Sequence, residues 1–542
     1  MDLYFQNIST ISGTSLYLFS QKHRYLFGSF QGLQRHSISC NISLHKIDVF
    51  FLSTIDDLFS FFGIYLTIES TRKKPINVMC TKYLEKIFKD AYFLPRIHNI
   101  KFYNEKYKDE FITVNNFNGN FYLKINKIKG KMKDNVNKLN IPKELRSKIK
   151  NREIFYYNNE RIDGNDYLED DIEVGDVYIV NKDIGEDYKY VKNVDIVFFR
   201  EKKFYCEGNE FNFILRKNNS IDYNDHFHLQ KKINILSKNY ILPVSQKEEK
   251  VKNNYLCNQD KIMFNKESNK YVVSRCEMVK LYNDSVNNLT GNYILFLGTG
   301  AAIPSKYRNV SSFLYKSNDK IFLFDCGEDS LSQIKRAGIY DDFIKNLEFI
   351  FISHSHADHH LGLISILNIK NNIKIIGPKN LGTFLTRHKL LKNNFYFSTE
   401  CDFLDFHEYK VHLAPVSHIG DSMGIKLIVD NFSISYSGDC EPSSNFASLS
   451  KKCNIMIHEA TFSDDCLDNA IKTKHSTRSG AINIFKESEA EILILTHFSQ
   501  RYPKGVCDTN ILCALDFFVY KINEDNEIIN QSEIYEILNE EK

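Results

Sequence analysis

Tryptophan is absent from the 542 residues, and no apolar run approaches the roughly 18 residues that a bilayer span requires, so no membrane-crossing helix is expected. No Cys-x-x-Cys pair occurs among the twelve cysteines. That excludes the commonest cysteine zinc site and dithiol redox motif. Thiols scattered in this way are expected to be reduced, in an intracellular protein. The opening Met1-Asp-Leu-Tyr-Phe-Gln6 lacks a basic n-region and a clean apolar core, so no secretory signal is expected. A dominant charge is missing too. With a net charge of +2, any nucleic-acid contact must come from a local basic patch. The length exceeds what one core serves, and two domains are expected.

What is present is most concentrated between Phe349 and Leu363. The apolar Phe349-Ile-Phe-Ile352 reads as a buried strand. After Ser353 come His354, His356, Asp358 and His359, and then Leu361, Leu363, Ile364 and Leu367 resume at helical spacing. Alternate positions in a tight loop can aim His354 and His356 at one point, and Asp358 and His359 at its neighbour. Imidazoles with a carboxylate suit zinc, and a loop feeding two adjacent points suits a two-metal site.

The first half of the chain repeats this order without the ligands. Tyr17-Leu-Phe19 and Tyr25-Leu-Phe27 read as a hairpin, and Val49-Phe-Phe-Leu52 as a buried strand. They match Ile321-Phe-Leu-Phe324 and Phe349-Ile-Phe-Ile352, with Ser53 lying 300 positions before Ser353. At that offset Thr54, Asp56, Leu58 and Phe59 replace His354, His356, Asp358 and His359. Two homologous domains follow, only the second fit for metal chemistry. The expected boundaries are 1–245 for the worn copy, 246–292 for an irregular linker, 293–520 for the catalytic copy and 521–542 for an acidic tail. A basic insertion lies at about 101–185. From Lys124 to Arg152, eleven Lys or Arg face only Asp134 and Glu144, a local charge of +9 that suits a phosphate backbone. Tyr122, Phe155, Tyr156 and Tyr157 flank it.

In the second half, further ligand types sit at the ends of apolar runs. Val411-His-Leu-Ala414 leads to His418, Phe432-Ser-Ile-Ser-Tyr436 to Asp439, Ile455-Met-Ile457 to His458 and Glu459, and Ile492-Leu-Ile-Leu495 to His497. Recurrent strand-then-ligand order is what a rigid sheet carrying function on its loops produces. Gly298-Thr-Gly300 turns sharply out of another strand, followed by Pro304-Ser-Lys-Tyr-Arg-Asn309.

These residues together resemble the metallo-β-lactamase superfamily. Within it, Pro304–Asn309, His458-Glu-Ala-Thr461 and His475-Ser-Thr477 resemble the three motifs that mark tRNase Z. A degenerate first copy is what its long, eukaryotic form looks like. The resemblance implies an α/β fold, two tandem αββα sandwiches, the first without metal ligands. It implies two zinc ions, with manganese or magnesium as substitutes in vitro: His354, His356 and His418 on one, Asp358, His359 and His497 on the other, and Asp439 bridging. It implies hydrolysis of precursor tRNA after the discriminator nucleotide, with His475 as proton donor oriented by Glu459, and Asp358 among the catalytic groups. Asp325 is either a carboxylate orienting a ligand or a turn residue. Lys306 and Arg308 either contact phosphate or hold their loop. The basic insertion resembles the tRNA-gripping arm, with Lys143, Arg146 and Lys148 as substrate contacts, although Lys143-Glu-Leu-Arg-Ser-Lys-Ile-Lys150 replaces the Gly-Pro element expected after Pro142. The family pattern implies a monomer whose halves pack like a dimer, without membrane association, in nucleus or mitochondrion, the cytoplasm remaining open.

A small ester or thioester hydrolase would leave the insertion and the worn repeat without purpose. A β-CASP nuclease would need a large cap domain, whereas His458 and His475 are only 17 residues apart. A tRNA-binding pseudoenzyme would not need all seven ligands.

Overall fold

The computed structural model describes residues 3–9, 13–69, 71–94, 99–126, 132–133, 135–136, 141–171, 175–181, 196–200, 212–215, 255–256, 261–265, 270–274, 289–305, 308–370, 372–392, 394–501, 511–522 and 528–529. Four sheets carry the fold, an eight-stranded and a seven-stranded one in each half. In the first half the larger sheet runs Lys270–Ser274, Lys261–Asn265, Tyr4–Ser9, Thr14–Phe19, Arg24–Phe27, Val49–Phe51, Ile76–Met79, Ile100–Tyr103. Its counterpart runs Ile528–Ile529, Val519–Ile522, Asn292–Gly298, Ser312–Ser317, Lys320–Phe324, Leu347–Phe351, Lys374–Gly377, Phe395–Phe397. Strand for strand, order and direction agree. Even single hydrogen bonds recur: Gly28 N donates to Phe51 O at 2.7 Å, and Asp325 N to Phe351 O at 2.8 Å.

Within each half the two sheets face each other. Alternate residues such as Phe27, Phe51, Phe121 and Ile179 fill the first sandwich, and Phe313, Phe324, Ile425 and Tyr436 the second. A third core joins the halves. Phe59, Phe62 and Ile64 of helix Ile55–Glu69 share it with Leu363 and Ile366 of helix Leu363–Leu367 and with Phe384. Apolar residues on both sides of that seam leave water on neither.

Three boundaries differ from the sequence expectation. Residues 261–265 and 270–274, expected within a linker, form an antiparallel hairpin on the edge of the first sheet. Residues 519–522 and 528–529 do the same in the second half, so the catalytic copy continues past 520 into the expected tail. The short strands alternate with Asn and Lys, and composition alone hides them. The insertion is narrower than 101–185, because 100–125 supplies strands to both sheets of the first half. It lies between strands Asn120–Ile125 and Asp176–Val180, which pair directly with each other. Their counterparts, Met423–Val429 and Phe432–Tyr436, are joined by the tight turn Asp430-Asn431. The insertion is thus an elaborated hairpin tip. It has its own core of Val136, Ile141, Ile149, Phe155, Ile162 and Leu168 under a helix, Arg146–Lys150, and a hairpin, Ile154–Tyr157 with Glu160–Asp163. No helix among the described residues is long and apolar enough to cross a membrane.

Candidate metal centre

Five loops of the second half, each leaving a strand, meet at one end of its sandwich. The loop after Leu347–Phe351 brings His354, His356, Asp358 and His359; Asp358 and His359 share one 3-10 turn, Ala357–His359. His418 follows Tyr409–Pro415, Asp439 follows Phe432–Tyr436, Glu459 ends Ile455–Glu459, and His497 follows Ile492–Thr496. Ligand-type atoms of His354, His356, His418 and Asp439 lie within 4.8 Å of one another, as do those of Asp358, His359 and His497. Asp439, His475 and His497 form a third such group. All seven residues expected as ligands are therefore brought together, at two adjacent points beside Asp439. His458 is not among them. It is fully buried, its Nδ1 on Glu459 O at 2.8 Å and its ring against Phe446.

The arrangement fits a cation. His354 Nε2 and His418 Nε2 approach His356 Nδ1 at 3.0 and 3.1 Å, three ring nitrogens converging on one spot. His359 Nε2 and Asp439 Oδ1 are buried and make no hydrogen bond, which is costly unless something positive takes their lone pairs. Behind them, partners fix each ring. Asp325 Oδ2 accepts from His359 Nδ1 at 2.7 Å, while Ser353 N, Ser353 Oγ and Tyr436 OH donate to the same carboxylate. The ligand-orienting reading of Asp325 is the one this geometry supports. Lys474 O accepts from His418 Nδ1 at 2.9 Å. Thr461 Oγ1 donates to Glu459 at 2.7 Å and accepts from His497 Nδ1 at 2.8 Å. Each of these imidazoles has Nδ1 occupied and Nε2 turned to the site, the usual way of presenting a metal ligand. Asp325 and His497 hold φ of +53° and +58°. Left-handed backbone at non-glycine residues is strain of the kind found at working sites. Burial alone would raise the Asp358 and Asp439 carboxyls; the imidazoles around them, His359 foremost, hold both well below the usual range.

His475 stands at the edge of this group, its Nδ1 2.7 Å from Glu459 Oε1. Burial pulls its pKa down, and the Glu459 carboxylate, with Asp439 and Asp358, pulls it further up, to about 9. Glu459 is fully buried and also accepts from Cys440 N and Thr461 N. Thr461, Tyr436 and Ser353 were missed as site residues. Thr461 was visible in the His458-Glu-Ala-Thr461 motif, whereas nothing local marks Tyr436.

Of the two readings of Arg308, phosphate contact and loop anchor, the geometry supports the second. The residue is 2 % exposed, with Nη1 donating to Thr299 Oγ1 and Ala514 O at 2.7 Å each and its guanidinium 4.5 Å from the Phe498 ring. It anchors its loop from within and does not face substrate. Lys306 lies outside the described residues. Lys143 and Lys148 are exposed on the inserted unit, Lys148 over the Phe155 ring, and Arg146 is half-buried there.

In the first half an arginine occupies the matching corner. Arg200 grips Asp57 through both carboxylate oxygens, at 3.0 and 2.9 Å. Asp57 also accepts from Ser29 N, Ser53 N and Thr54 N. Gly28 stands where Asp325 stands; a Cβ there would lie 2.5 Å from the guanidinium carbon of Arg200.

Residues 320–498 match a family described as a beta-lactamase superfamily domain. That match lies wholly within the second half. The chain is 31% identical over 320 residues to Ribonuclease Z 1 of Schizosaccharomyces pombe, covering 49% of this chain and 39% of that protein. It is 33% identical over 251 residues to Zinc phosphodiesterase ELAC protein 2 of Mus musculus, covering 39% of this chain and 30% of that one. It thus spans well under half the length of these relatives. The crystal structure of a long form RNase Z from yeast superposes over 100% of this chain and 98% of that chain, with a TM-score of 0.73 at 20% identity. Both halves therefore share that protein's fold, and the family match falls on the second of them.

Proposed function

We propose that this chain is a metal-dependent endoribonuclease that removes the 3′ trailer of precursor tRNA, cutting after the discriminator nucleotide and leaving a 3′-hydroxyl. The observation that carries the reading is the His475–Glu459 pair at the edge of two converging ligand groups. Relatives named ribonuclease Z and zinc phosphodiesterase supply the substrate class. Two zinc ions are proposed, His354, His356 and His418 holding one, Asp358, His359 and His497 the other, with Asp439 shared. Zinc bound there supplies Lewis-acid stabilisation of phosphoryl charge and a water of lowered pKa.

The chain's own residues supply the rest. Glu459 keeps His475 oriented through Nδ1 and favours its charged form, leaving Nε2 to give a proton to the departing 3′-oxygen. Asp325, Thr461 and Lys474 O hold the ligand rings, so that little reorganisation accompanies reaction. The inserted unit grips the double-helical part of the tRNA through phosphates by Lys143, Arg146 and Lys148. The chain works as a monomer, its metal-free half in the place of a second subunit. Mitochondrion or nucleus is the proposed compartment, since relatives from Drosophila melanogaster and Schizosaccharomyces pombe are named as mitochondrial.

The test is cleavage of a trailer-bearing precursor tRNA with zinc or manganese, beside Asp439→Ala. One cut after the discriminator, lost in the variant, is expected. Tight tRNA binding by metal-loaded protein without any cut would make it a binding protein instead.

A further inference from the structure

The loop bearing Asp358 and His359 is clamped on two sides. Its own half holds the inner side: Cys326 N donates to His359 O at 2.8 Å, and Gly362 N to Cys326 O at 2.9 Å. No slack exists there, since a Cβ on Gly362 would lie 2.1 Å from Gly327 O. The first half holds the outer side. Gln31, 6 % exposed, donates from Nε2 to Leu361 O at 2.8 Å and accepts at Oε1 from Asp329 N at 3.0 Å. The Phe93 ring lies 4.8 Å from that of His360.

The contact is reciprocal but unequal. Gly32 N donates to Glu328 Oε1 at 2.9 Å, mirroring the bond from Asp329 N to Gln31 Oε1. Gln31 and Glu328 thus occupy matching places, one in each half. Either can accept a backbone N–H; the amide always carries a donor besides, and here that donor goes to Leu361 O. The donor serves the loop that carries ligands. The 3-10 turn Ala357–His359 and the next two residues form one short path from Gln31 to His359 Nε2, which makes no hydrogen bond.

We propose that Gln31 is a positioning residue: from the metal-free half it fixes the loop of Asp358 and His359 and so sets the affinity of the metal position they form with His497. This rests on the two-ion reading above. Loss of the amide takes away the donor to Leu361 O and the acceptor of Asp329 N, and the loop must shift to compensate.

The test uses the full chain stripped of metal and titrated calorimetrically with zinc, with no RNA present. Wild type is expected to take up two ions. Gln31→Met should bind one as before and the other about 10- to 100-fold more weakly. Gln31→Leu, which likewise deletes both donor and acceptor, should show the same selective loss. With precursor tRNA, kcat of either variant should recover at excess zinc with KM unchanged. Tyr83→Phe, which removes another bond between the halves (Tyr83 OH to His388 O, 3.1 Å), should leave both affinities intact. Equal weakening of both ions, an equal effect of Tyr83→Phe, or unchanged affinities in the Gln31 variants would overturn the proposal. Uptake of a single ion by wild type would instead overturn the two-ion reading on which it stands.

Discussion

At the scale of single residues, the site is a set of rings whose outward nitrogens are already spoken for. His359, His418 and His497 spend Nδ1 on Asp325, Lys474 O and Thr461, which leaves Nε2 as the only atom to offer. His475 is held the same way but by a buried carboxylate, and Glu459 gives it charge as well as direction. A general acid so placed contributes about 10²- to 10⁴-fold to rate. His475→Ala should lower kcat on precursor tRNA by that range while zinc uptake measured by calorimetry stays at the wild-type value. Loss of zinc along with activity would make His475 a ligand.

At the scale of elements, the two halves show one loop solved twice. In the second half a carboxylate and a serine organise a ligand loop. In the first, Arg200 enters the matching corner and Asp57 ties the guanidinium to the backbone of residues 29, 53 and 54. The pair is buried, at 12% and 1% exposure, so removing one partner strands a charge. Asp57→Ala should cost about 3–5 kcal/mol in denaturant unfolding of the chain. The inserted unit is the other elaborated element. Its Asn158-Asn159 turn has φ of +50° and +62°, the backbone that closes a two-residue hairpin. Because the unit has its own core, changing its surface should leave folding intact. Replacing Lys143, Arg146 and Lys148 together by Ala should weaken precursor-tRNA binding and flatten the log–log salt dependence by about 2–3. An unchanged salt slope would remove this surface from the tRNA interface.

At the scale of the whole molecule, the seam between the halves carries polar contacts that an apolar core does not require. Arg35 of the first half lies 3.9 Å from Asp516 of the second, both 2% exposed. Glu328 is buried under Gly32, and burial pushes its carboxyl up to about 8. A carboxyl raised on folding stabilises the fold fully below its unfolded value, near 4.5, and the contribution is lost as pH rises towards 8. Glu328→Gln keeps the acceptor for Gly32 N and removes the buried charge. It should raise the melting temperature at pH 8 by a few degrees, at about 2–4 °C per kcal/mol, and leave it unchanged near pH 4.5. An equal shift at both pH values would show that ionisation is not the cause.

Local order alone made the candidate ligand residues and the worn repeat readable: an apolar run makes a strand, and the residues after it reach its open end. Asp325, His354, His359, Asp439 and His497 were legible for that reason. Tertiary structure alone decided which way side chains turn and what they meet. Arg308 sits in a loop that suggests substrate contact, yet it turns inward because Thr299 and Ala514 O are there to receive it. The strands at 261–265 and 519–522 exist because an open sheet edge accepts them, not because their composition demands it. Gln31 reads as an ordinary polar residue until folding brings it to Leu361, 330 positions away. A partner that distant leaves no local pattern to read.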